Sequence, residues 1–311
     1  MLIRNYQPGD EHAQAEIYNT VAGKLPKFKP ATAEEIGRRH ATSDHDPTSK
    51  FYAIVDGRVV GYAVLNPNGR ISYPWCLPGA ADAQSPLLEA VLKGLGDRGC
   101  SQAWATYRAD WSTVIEFFKS HGFTQSREFI NYVTEVARLP KTTLTPSLKL
   151  APLDRSDAPA VWRLGQGLFE ADPERLESFY FRNTNFEPDC VYTLKQSSVD
   201  SPIGVAVAIT NPKYADPTKV DAAMPCFRLG AIGTESDRHK RINGMFSCVF
   251  RTDGAGELLL AEAALRFTRA RLTHAAAQAP SDRLELVQFY DRYFQRQGAF
   301  PILSRRLGES H

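Results

Sequence analysis

The sequence predicts a mixed α/β protein, in which two halves of the chain repeat one order of strands and helices. Each half opens on a short apolar run, a turn that ends at Asp10 or Asp157, and an amphipathic segment. Aspartate is typical of a helix start because its carboxylate accepts hydrogen bonds from the free N–H groups of the first turn. Each half closes on two adjacent aromatic residues and a Gly–Phe ending, in "FFKSHGF" and "FYDRYFQRQGAF". We therefore expect two similar domains in one chain.

The elements that follow the first helix of each half are two β-rich runs. "FYAIVDGRVVGYAVL" turns at Asp56-Gly57, a dipeptide typical of tight hairpins. "VYTLKQSSVDSPIGVAVAIT" repeats this pattern with a longer turn, and Gly61 and Gly204 occupy the same place in the second run. The pattern predicts one antiparallel strand pair in each half.

A long helix, a short strand and a last helix complete each half. When Leu87 of "PLLEAVLKGLGDRG" is aligned with Leu258 of "ELLLAEAALRFTRARL", 31 residues lead to Phe118 and 32 lead to Tyr290. The second half has roughly 28 extra residues before its long helix, and "NPKYADPTKVDAAMP" is turn-rich enough to supply most of them. The Pro- and Thr-rich stretch "VARLPKTTLTPS" predicts a linker. The predicted domains are thus residues 1–136 and 148–311, joined by a linker at 137–147.

Composition favours a cytoplasmic protein with real hydrophobic cores, at 43% hydrophobic residues. A net charge of +2 gives no support for a nucleic-acid or membrane partner, and the chain has no membrane-length apolar run. The five cysteines are scattered without a CxxC spacing, so we expect reduced thiols. The seven histidines show no HxxxH or HxH pairing, so we expect no metal site.

The order β-α-β-β-β-α-β-α in each half resembles the GCN5-related N-acetyltransferase (GNAT) fold, so the whole sequence resembles a tandem GNAT protein. This resemblance implies that acetyl-CoA binds where the fourth strand meets the long helix, at a pattern Arg/Gln-x-x-Gly-x-Gly/Ala. The segment "RTDGAGELLL" carries that pattern. Glycines let the backbone approach a pyrophosphate, and a helix N-terminus attracts it, although Glu257 would repel it. The implied cofactor-binding residues are Cys248, Phe250, Arg251, Thr252, Asp253, Gly254, Ala255 and Gly256.

Two other segments are weaker candidates for the same loop. In the first half, Arg251, Gly254 and Gly256 align with Ala80, Ala83 and Ser85. This loop lacks the basic residue and adds Asp82 and Pro86, so we expect that it has lost the site.

A rival loop in the second half is "GTESDRHKRINGMF", with Arg241 and Gly244 in the Arg-x-x-Gly spacing. Phe246 stands where the family has Gly or Ala. We expect Arg241 to be a secondary contact, with its basic neighbours, for the 3′-phosphate of CoA.

The resemblance also implies the chemistry: a substrate amine attacks the thioester directly, and a tyrosine on the last helix protonates the departing thiolate. Phe289-Tyr290 match the aromatic pair of that helix, which makes Tyr290 the expected acid, with Tyr293 as a neighbour of the same type. A phenol is a suitable donor because its pKa is near 10. The first half has Phe118 there, which has no proton to give. The base stays open among Glu235, Asp237, His239, His274 and a water chain.

We therefore expect an acetyl-CoA-dependent N-acetyltransferase that acts on a primary amine of a small molecule in its second half. One alternative is a non-catalytic acyl-CoA-binding or regulatory module, favoured by the incomplete motifs. The other is a peptidyl transferase that uses aminoacyl-tRNA, which the near-neutral charge disfavours. The sequence does not indicate an oligomeric state.

Overall fold

The computed structural model of the protein describes residues 1–41, 46–166, 173–182, 186–187, 189–197, 199–211 and 244–308. The first half of the chain forms, in order, β1 (Leu2–Asn5), α1 (Asp10–Ala22), α2 (Ala33–His40), β2 (Lys50–Val55), β3 (Arg58–Val64), β4 (Trp75–Cys76), α3 (Gln84–Gly96), β5 (Gln102–Thr106), α4 (Ser112–Ser120) and β6 (Thr124–Glu135). The second half forms β7 (Leu148–Pro152), α5 (Ala158–Leu164), α6 (Pro173–Phe181), β8 (Val191–Gln196), β9 (Val199–Ile209), β10 (Gly244–Phe250), α7 (Asp253–Arg269), β11 (His274–Pro280), α8 (Leu284–Tyr293) and β12 (Gln295–Arg306). The predicted α/β class is confirmed, and the two halves do repeat one order. Each half also has two elements that were not predicted, a second helix (α2 or α6) and a last strand (β6 or β12).

The described chain divides into two compact units, and each unit is made of two segments. Unit 1 contains residues 1–128 and the C-terminal residues 299–308, and unit 2 contains residues 129–211 and 244–298 within the described ranges. The last strand of each half is therefore largely built into the unit of the other half. The contiguous boundaries at 136 and 148 stay a prediction about the repeat.

Unit 1 is built on an antiparallel sheet in the order β1-β2-β3-β4. Asp56 and Gly57 both have positive φ, at 50° and 76°, so the hairpin predicted at this dipeptide is confirmed. A parallel bridge joins Arg70 to Trp104 of β5. On its other side β5 pairs antiparallel with β12, from Ile302 opposite Thr106 to Arg306 opposite Gln102.

Helices cover both faces of the unit 1 sheet. On one face, Tyr18 of α1 packs edge-on against Trp75, with ring centroids 5.3 Å apart. On the other face, α3 approaches so closely that a Cβ added at Gly61 would lie 3.2 Å from Leu87 Cδ1. Leu303 of β12 is fully buried in this core, so the C-terminal strand contributes to it directly.

Unit 2 has strands in the order β7-β8-β9-β10-β11-β6. All neighbours are antiparallel except β10 and β11, which are parallel. On one face, Val161 of α5 and Leu176 of α6 pack with Met245 and Val249 of β10. On the other face, α7 covers β9, where a Cβ added at Gly204 would lie 2.8 Å from Leu259 Cδ1.

The aspartates expected to cap the first helices form ion pairs with strand residues instead. Asp10 is the first residue of α1 and forms an ion pair with Arg4 at 2.7 Å. Asp157 precedes α5, makes no side-chain cap there, and pairs with Lys195 of β8 at 2.7 Å. Both carboxylates are buried, at 7% and 4% exposure, and a buried charge needs a partner of opposite sign. Each therefore ties the start of a helix to a strand.

The repeated Gly–Phe ending proves to be two different structures. Gly122 follows α4 with a positive φ of 80°, as a helix-ending glycine does. Gly298 lies inside β12, beyond a helix that already ends at Tyr293. The prediction that both glycines mark one motif is wrong, because α8 passes directly into an extended strand at Phe294.

None of the helices in the described part of the chain is both long and apolar enough to cross a bilayer. Residues 212–243, which include most of the predicted insertion, lie outside the described residues.

Candidate active site

The candidate site begins where two parallel strands of unit 2 separate. β10 and β11 pair at three positions, from Gly244 opposite Ala275 to Phe246 opposite Ala277. Beyond this point β10 stays paired with β9, while β11 pairs only with β6. An opening between two strands therefore starts after Phe246.

Backbone donors of β10 face this opening. The N–H of Arg251 bonds Ile203 O of β9. Because N–H groups alternate sides along a strand, those of Cys248 and Phe250 point away from β9, toward the opening. Cys248 is the first residue past the paired region that presents an N–H group on this side.

Tyr290 of α8 meets this backbone donor. Its side chain is 1% exposed, and its hydroxyl oxygen lies 3.7 Å from Cys248 Sγ. The backbone N–H of Cys248 also hydrogen-bonds the phenol, which lowers the pKa of Tyr290, but burial has the larger effect and holds that pKa well above its ordinary value. The aromatic rings of Tyr132, Phe246 and Phe289 surround it. Tyr290 therefore keeps its proton at neutral pH.

The same burial acts on the neighbouring thiol. Cys248 is 3% exposed, and burial raises its pKa to about 12, although the hydrogen bond with Tyr290 lowers it. A thiol with this pKa stays protonated at neutral pH and is a poor nucleophile.

The loop after β10 leads into α7 and is open to solvent. Residues 251–254 are all exposed, and Thr252 is the N-cap in an extended conformation, without a side-chain cap bond. The N–H groups of Ala255 and Gly256 bond Thr252 O, whereas those of Asp253 and Gly254 precede any helical acceptor. This helix start can therefore donate to an anion.

The two glycines of this loop have different reasons to be glycine. A Cβ added at Gly254 would meet nothing within 4 Å, so the backbone is open there. A Cβ added at Gly256 would lie 2.8 Å from Phe250 Cδ1 and 2.9 Å from Phe289 Cε2. Gly254 is thus free to face a ligand, while Gly256 lets two aromatic rings pack on the helix.

Acidic side chains beside this loop are held by α8. Arg292 pairs with Asp253 at 2.8 Å, and the Tyr293 hydroxyl donates to Glu257 Oε1 at 2.6 Å. Burial first, and then the hydrogen bond to the Glu257 carboxylate, raise the pKa of Tyr293 to about 12. Arg292 partly neutralises the charge of Asp253, and the Tyr293 hydroxyl holds the Glu257 carboxylate in place by a hydrogen bond. Both contacts reduce the repulsion of an anion at the helix start.

Equivalent contacts in unit 1 correct the alignment of the two halves. Gly61 contacts Leu87 as Gly204 contacts Leu259, so Leu87 aligns with Leu259 rather than Leu258. Exactly 31 residues then separate the leucine from Phe118 in one half and from Tyr290 in the other.

The corrected alignment changes the first-half loop residues. Arg251, Gly254 and Gly256 now align with Gly79, Asp82 and Gln84, not with Ala80, Ala83 and Ser85. The absence of a basic residue in the first loop stands, and an acidic residue now replaces the open glycine.

Unit 1 also closes the equivalent of the strand opening. Cys76 pairs with Gly61 as Phe250 pairs with Gly204, so Pro74 holds the place of Cys248. Proline has no N–H to donate. The adjacent N–H of Tyr73 donates to the Tyr107 hydroxyl at 2.6 Å, and the ring of Phe118 stacks on that of Tyr107. Aromatic side chains and a proline therefore fill the position that stays polar in unit 2.

The chain is similar to known proteins in structure rather than in sequence. No protein-family model matches the chain, and no curated protein matches it in sequence. A GCN5-related N-acetyltransferase from Sphaerobacter thermophilus matches all of this chain over 96% of its own, with a TM-score of 0.63 at 14% identity. A tandem GNAT protein from the clavulanic acid biosynthesis pathway matches all of this chain over 99% of its own, with a TM-score of 0.54 at 11% identity.

The chain has the tandem GNAT fold. The predicted tandem fold is therefore confirmed.

The predicted site residues of the GNAT fold have definite places. Tyr290, Cys248, Phe250 and the loop 251–256 lie together around the end of β10 and the start of α7. Arg241 lies outside the described residues, as do Glu235, Asp237 and His239.

The described end of the rival pattern and one base candidate lie away from this helix start. Gly244 and Phe246 belong to strand β10, so the Arg241–Gly244 spacing does not lead into a helix. His274 is the first residue of β11, at the end of that strand opposite to the opening.

Two features of the site escaped the sequence analysis. Pro74 was visible in "YPWC", but it gains meaning only after the strands are aligned. The contribution of β6 to unit 2 had no sequence signal, because no residue pattern shows that a last strand pairs in the other half.

Proposed function

We propose that the protein is an acetyl-CoA-dependent N-acetyltransferase, which acetylates a primary amine of a small molecule at unit 2. The observation that carries this proposal is the meeting of the Tyr290 phenol with the Cys248 N–H at the strand opening, next to an exposed helix start. The fold supports it, since one structural neighbour is an N-acetyltransferase by name. Fold alone does not fix an activity, so the side chains carry the argument.

The residues of unit 2 suit a CoA ligand. The N–H groups at the start of α7, with the open backbone at Gly254, offer donors to a pyrophosphate. Arg251 is exposed beside them and adds a charge-assisted hydrogen bond. Acetyl-CoA, when bound, supplies an acetyl thioester that an amine can attack.

Two groups at the opening serve the chemistry. When a thioester is bound, the Cys248 N–H exchanges the phenol oxygen for a ligand oxygen on which negative charge develops, beside the aromatic rings that bury this point. Tyr290 Oη holds a proton at neutral pH and gives it to a leaving sulfur. Unit 1 has neither group at the equivalent place, so we assign the reaction to unit 2 alone.

The free cysteines support a cytoplasmic location. Cys76, Cys100, Cys190 and Cys248 are all unpaired thiols in the described part of the chain. Free thiols are typical of reducing compartments.

The test is binding followed by turnover. Acetyl-CoA and CoA should each raise the melting temperature, and release of CoA thiol in the presence of primary amines should report transfer. Arg251→Gln should weaken both effects. Arg269→Gln should not, because Arg269 is an exposed arginine at the far end of α7. If neither CoA nor acetyl-CoA shifts the melting temperature, the proposal is wrong.

A non-catalytic acyl-CoA-binding module is a second candidate, favoured by one observation. Asp253 stands in the loop that would hold the pyrophosphate, and its ion pair with Arg292 gives only partial compensation at 57% exposure of the aspartate side chain. Binding of acetyl-CoA without thiol release across a panel of primary amines would favour this module over the enzyme.

A further inference from the structure

A polar pair interrupts an apolar face of the unit 2 sheet. On the face covered by α5 and α6, Met245, Ala276 and Val133 lie across three neighbouring strands in an apolar core. One step further along β11, Gln278 lies opposite Asn131 of β6 on the same face, because side chains alternate along a strand. This step is also where β10 and β11 separate.

The two carboxamides bond each other, and each has further hydrogen-bonding groups that this bond does not use. Gln278 Nε2 donates to Asn131 Oδ1 at 2.6 Å. This bond uses neither Gln278 Oε1, which is an acceptor, nor the N–H groups of Asn131 Nδ2, which are donors. The second N–H of Gln278 Nε2 is also outside this bond. Asn131 is 1% exposed, and a buried amide without its full set of hydrogen bonds is costly.

The pair is uncharged and partly accessible, which are properties of a site for a neutral polar ligand group. Gln278 is partly exposed, as is Ser247, the β10 residue that follows Phe246 on the same face as Met245. The strand opening therefore has Tyr290 on its α7–α8 face and a neutral donor–acceptor pair on its α5–α6 face. A ligand group that fits this pair has its own acceptor and donor side by side.

We propose that Asn131 and Gln278 select the acceptor amine, and that the preferred acceptor carries a hydroxyl or carbonyl group on the carbon next to the amine-bearing carbon. Gln278 Oε1 accepts from the amine N–H, and Asn131 Nδ2 donates to the neighbouring oxygen. This inference rests on the proposed function, since it names the substrate class of the same site. It also assigns a specificity residue to the first half of the chain, because β6 brings Asn131 into unit 2.

The experiment compares two amines that differ by one hydroxyl, phenylalaninol and 2-amino-1-phenylpropane. Isothermal titration calorimetry measures the affinity of each for the full-length protein, alone and saturated with CoA. We expect phenylalaninol to bind about fivefold to tenfold more tightly, the value of one or two net hydrogen bonds. Asn131→Leu should reduce this preference to about twofold or less, because it removes the donor to the hydroxyl. Gln278→Met should do the same, because the hydrogen bond from Gln278 Nε2 to Asn131 Oδ1 holds the Asn131 amide in the orientation that donates. Thr134→Val is the control, because it removes a buried hydroxyl from the opposite face of the same strand.

The outcomes separate the two proposals. Equal affinity for both amines, or a preference that survives Gln278→Met, overturns the assignment of this pair even if acetyl-CoA binds. Loss of the preference in Thr134→Val also overturns it. A preference that depends on Gln278 in a protein that does not bind CoA supports the amine site and removes the acetyltransferase. Gln278→Met keeps the test decisive if Asn131→Leu does not fold, since Gln278 is partly exposed.

Discussion

The hydroxyl oxygen of Tyr290 lies 3.7 Å from Cys248 Sγ and accepts a hydrogen bond from the backbone N–H of the same cysteine. One residue of β10 therefore fixes the position of the only side-chain hydroxyl that α8 directs to this point. Since the neighbouring thiol is buried and protonated, it packs against the phenol without competing for its proton. The relationship ties a proton donor to a backbone donor at the strand opening of unit 2.

Replacing Tyr290 by phenylalanine should lower turnover by about 100-fold or more while leaving CoA affinity unchanged. The change removes the proton donor but keeps the ring that packs with Tyr132 and Phe289. Steady-state release of CoA thiol, with calorimetric titration of CoA, measures the two effects. Tyr293→Phe is the matched control, since its hydroxyl bonds Glu257 instead. An unchanged rate in Tyr290→Phe would remove this residue from the acid role.

The two loop glycines should respond to alanine in opposite ways. Gly254→Ala should keep the melting temperature, because the added methyl group meets nothing, but should weaken CoA binding by blocking the backbone. Gly256→Ala should cost about 1–3 kcal/mol of stability, since its methyl group would press on Phe250 and Phe289. Thermal unfolding and CoA titration of both variants check this. A stable Gly256→Ala protein would show that the two rings move aside.

Asp253→Asn should tighten CoA binding. The aspartate is exposed at the first turn of α7 and carries a negative charge beside the expected pyrophosphate. Its removal also frees Arg292 to approach the ligand. The gain should shrink as salt is added, because the charges are screened. Arg292→Gln should have the reverse effect, and equal affinities in all three proteins would place the pyrophosphate elsewhere.

Alkaline pH should destabilise unit 2 through Tyr290. The phenol of an unfolded chain ionises near pH 10, whereas burial keeps the folded pKa well above that value. The stability that this group contributes is complete below about pH 10 and is lost as the pH rises toward the folded pKa. Urea unfolding between about pH 9 and 11 should therefore show a fall in unfolding free energy that is shallower in Tyr290→Phe, by a difference that approaches about 1.4 kcal/mol per pH unit at the alkaline end. Identical slopes would mean that the pKa of this phenol is the same in the folded and unfolded protein.

Truncating Leu303 should destabilise unit 1, although the residue belongs to the second half of the sequence. Its side chain is fully buried in the unit 1 core, so Leu303→Ala should cost about 2–5 kcal/mol. Three of the four tryptophans, Trp75, Trp104 and Trp111, report on that unit by fluorescence. The neighbouring Ile302→Ala should cost less, because Ile302 is only partly buried. A larger loss in Ile302→Ala would contradict the strand register.

The order of elements was predictable because it depends on local patterns. The Asp56-Gly57 hairpin, the long helix after "RTDGAG" and the aromatic pair Phe289-Tyr290 all follow from nearest neighbours and short periodicities. The position of Tyr290 as the counterpart of Phe118 also follows from the sequence. The number of residues between the long helix and the aromatic pair is nearly the same in the two halves. The Gly–Phe ending misled because a glycine close to a phenylalanine, as in Gly122-Phe123 and Gly298-Ala299-Phe300, does not fix the backbone conformation around it.

The sequence by itself determined two similar α/β halves. Only the second half has a tyrosine in the aromatic pair of the predicted last helix, and only the second has an Arg-x-x-Gly-x-Gly loop. Tertiary structure alone decided that β6 and β12 are built largely into the unit of the other half, and with them that Asn131 belongs to unit 2 and Leu303 to unit 1. Only the tertiary structure shows that Pro74 is equivalent in position to Cys248. It also shows that the backbone is open at Gly254 and closely packed at Gly256. The physical reason is that strand pairing and close packing join residues distant in the chain, so their partners leave no pattern in any short stretch of sequence.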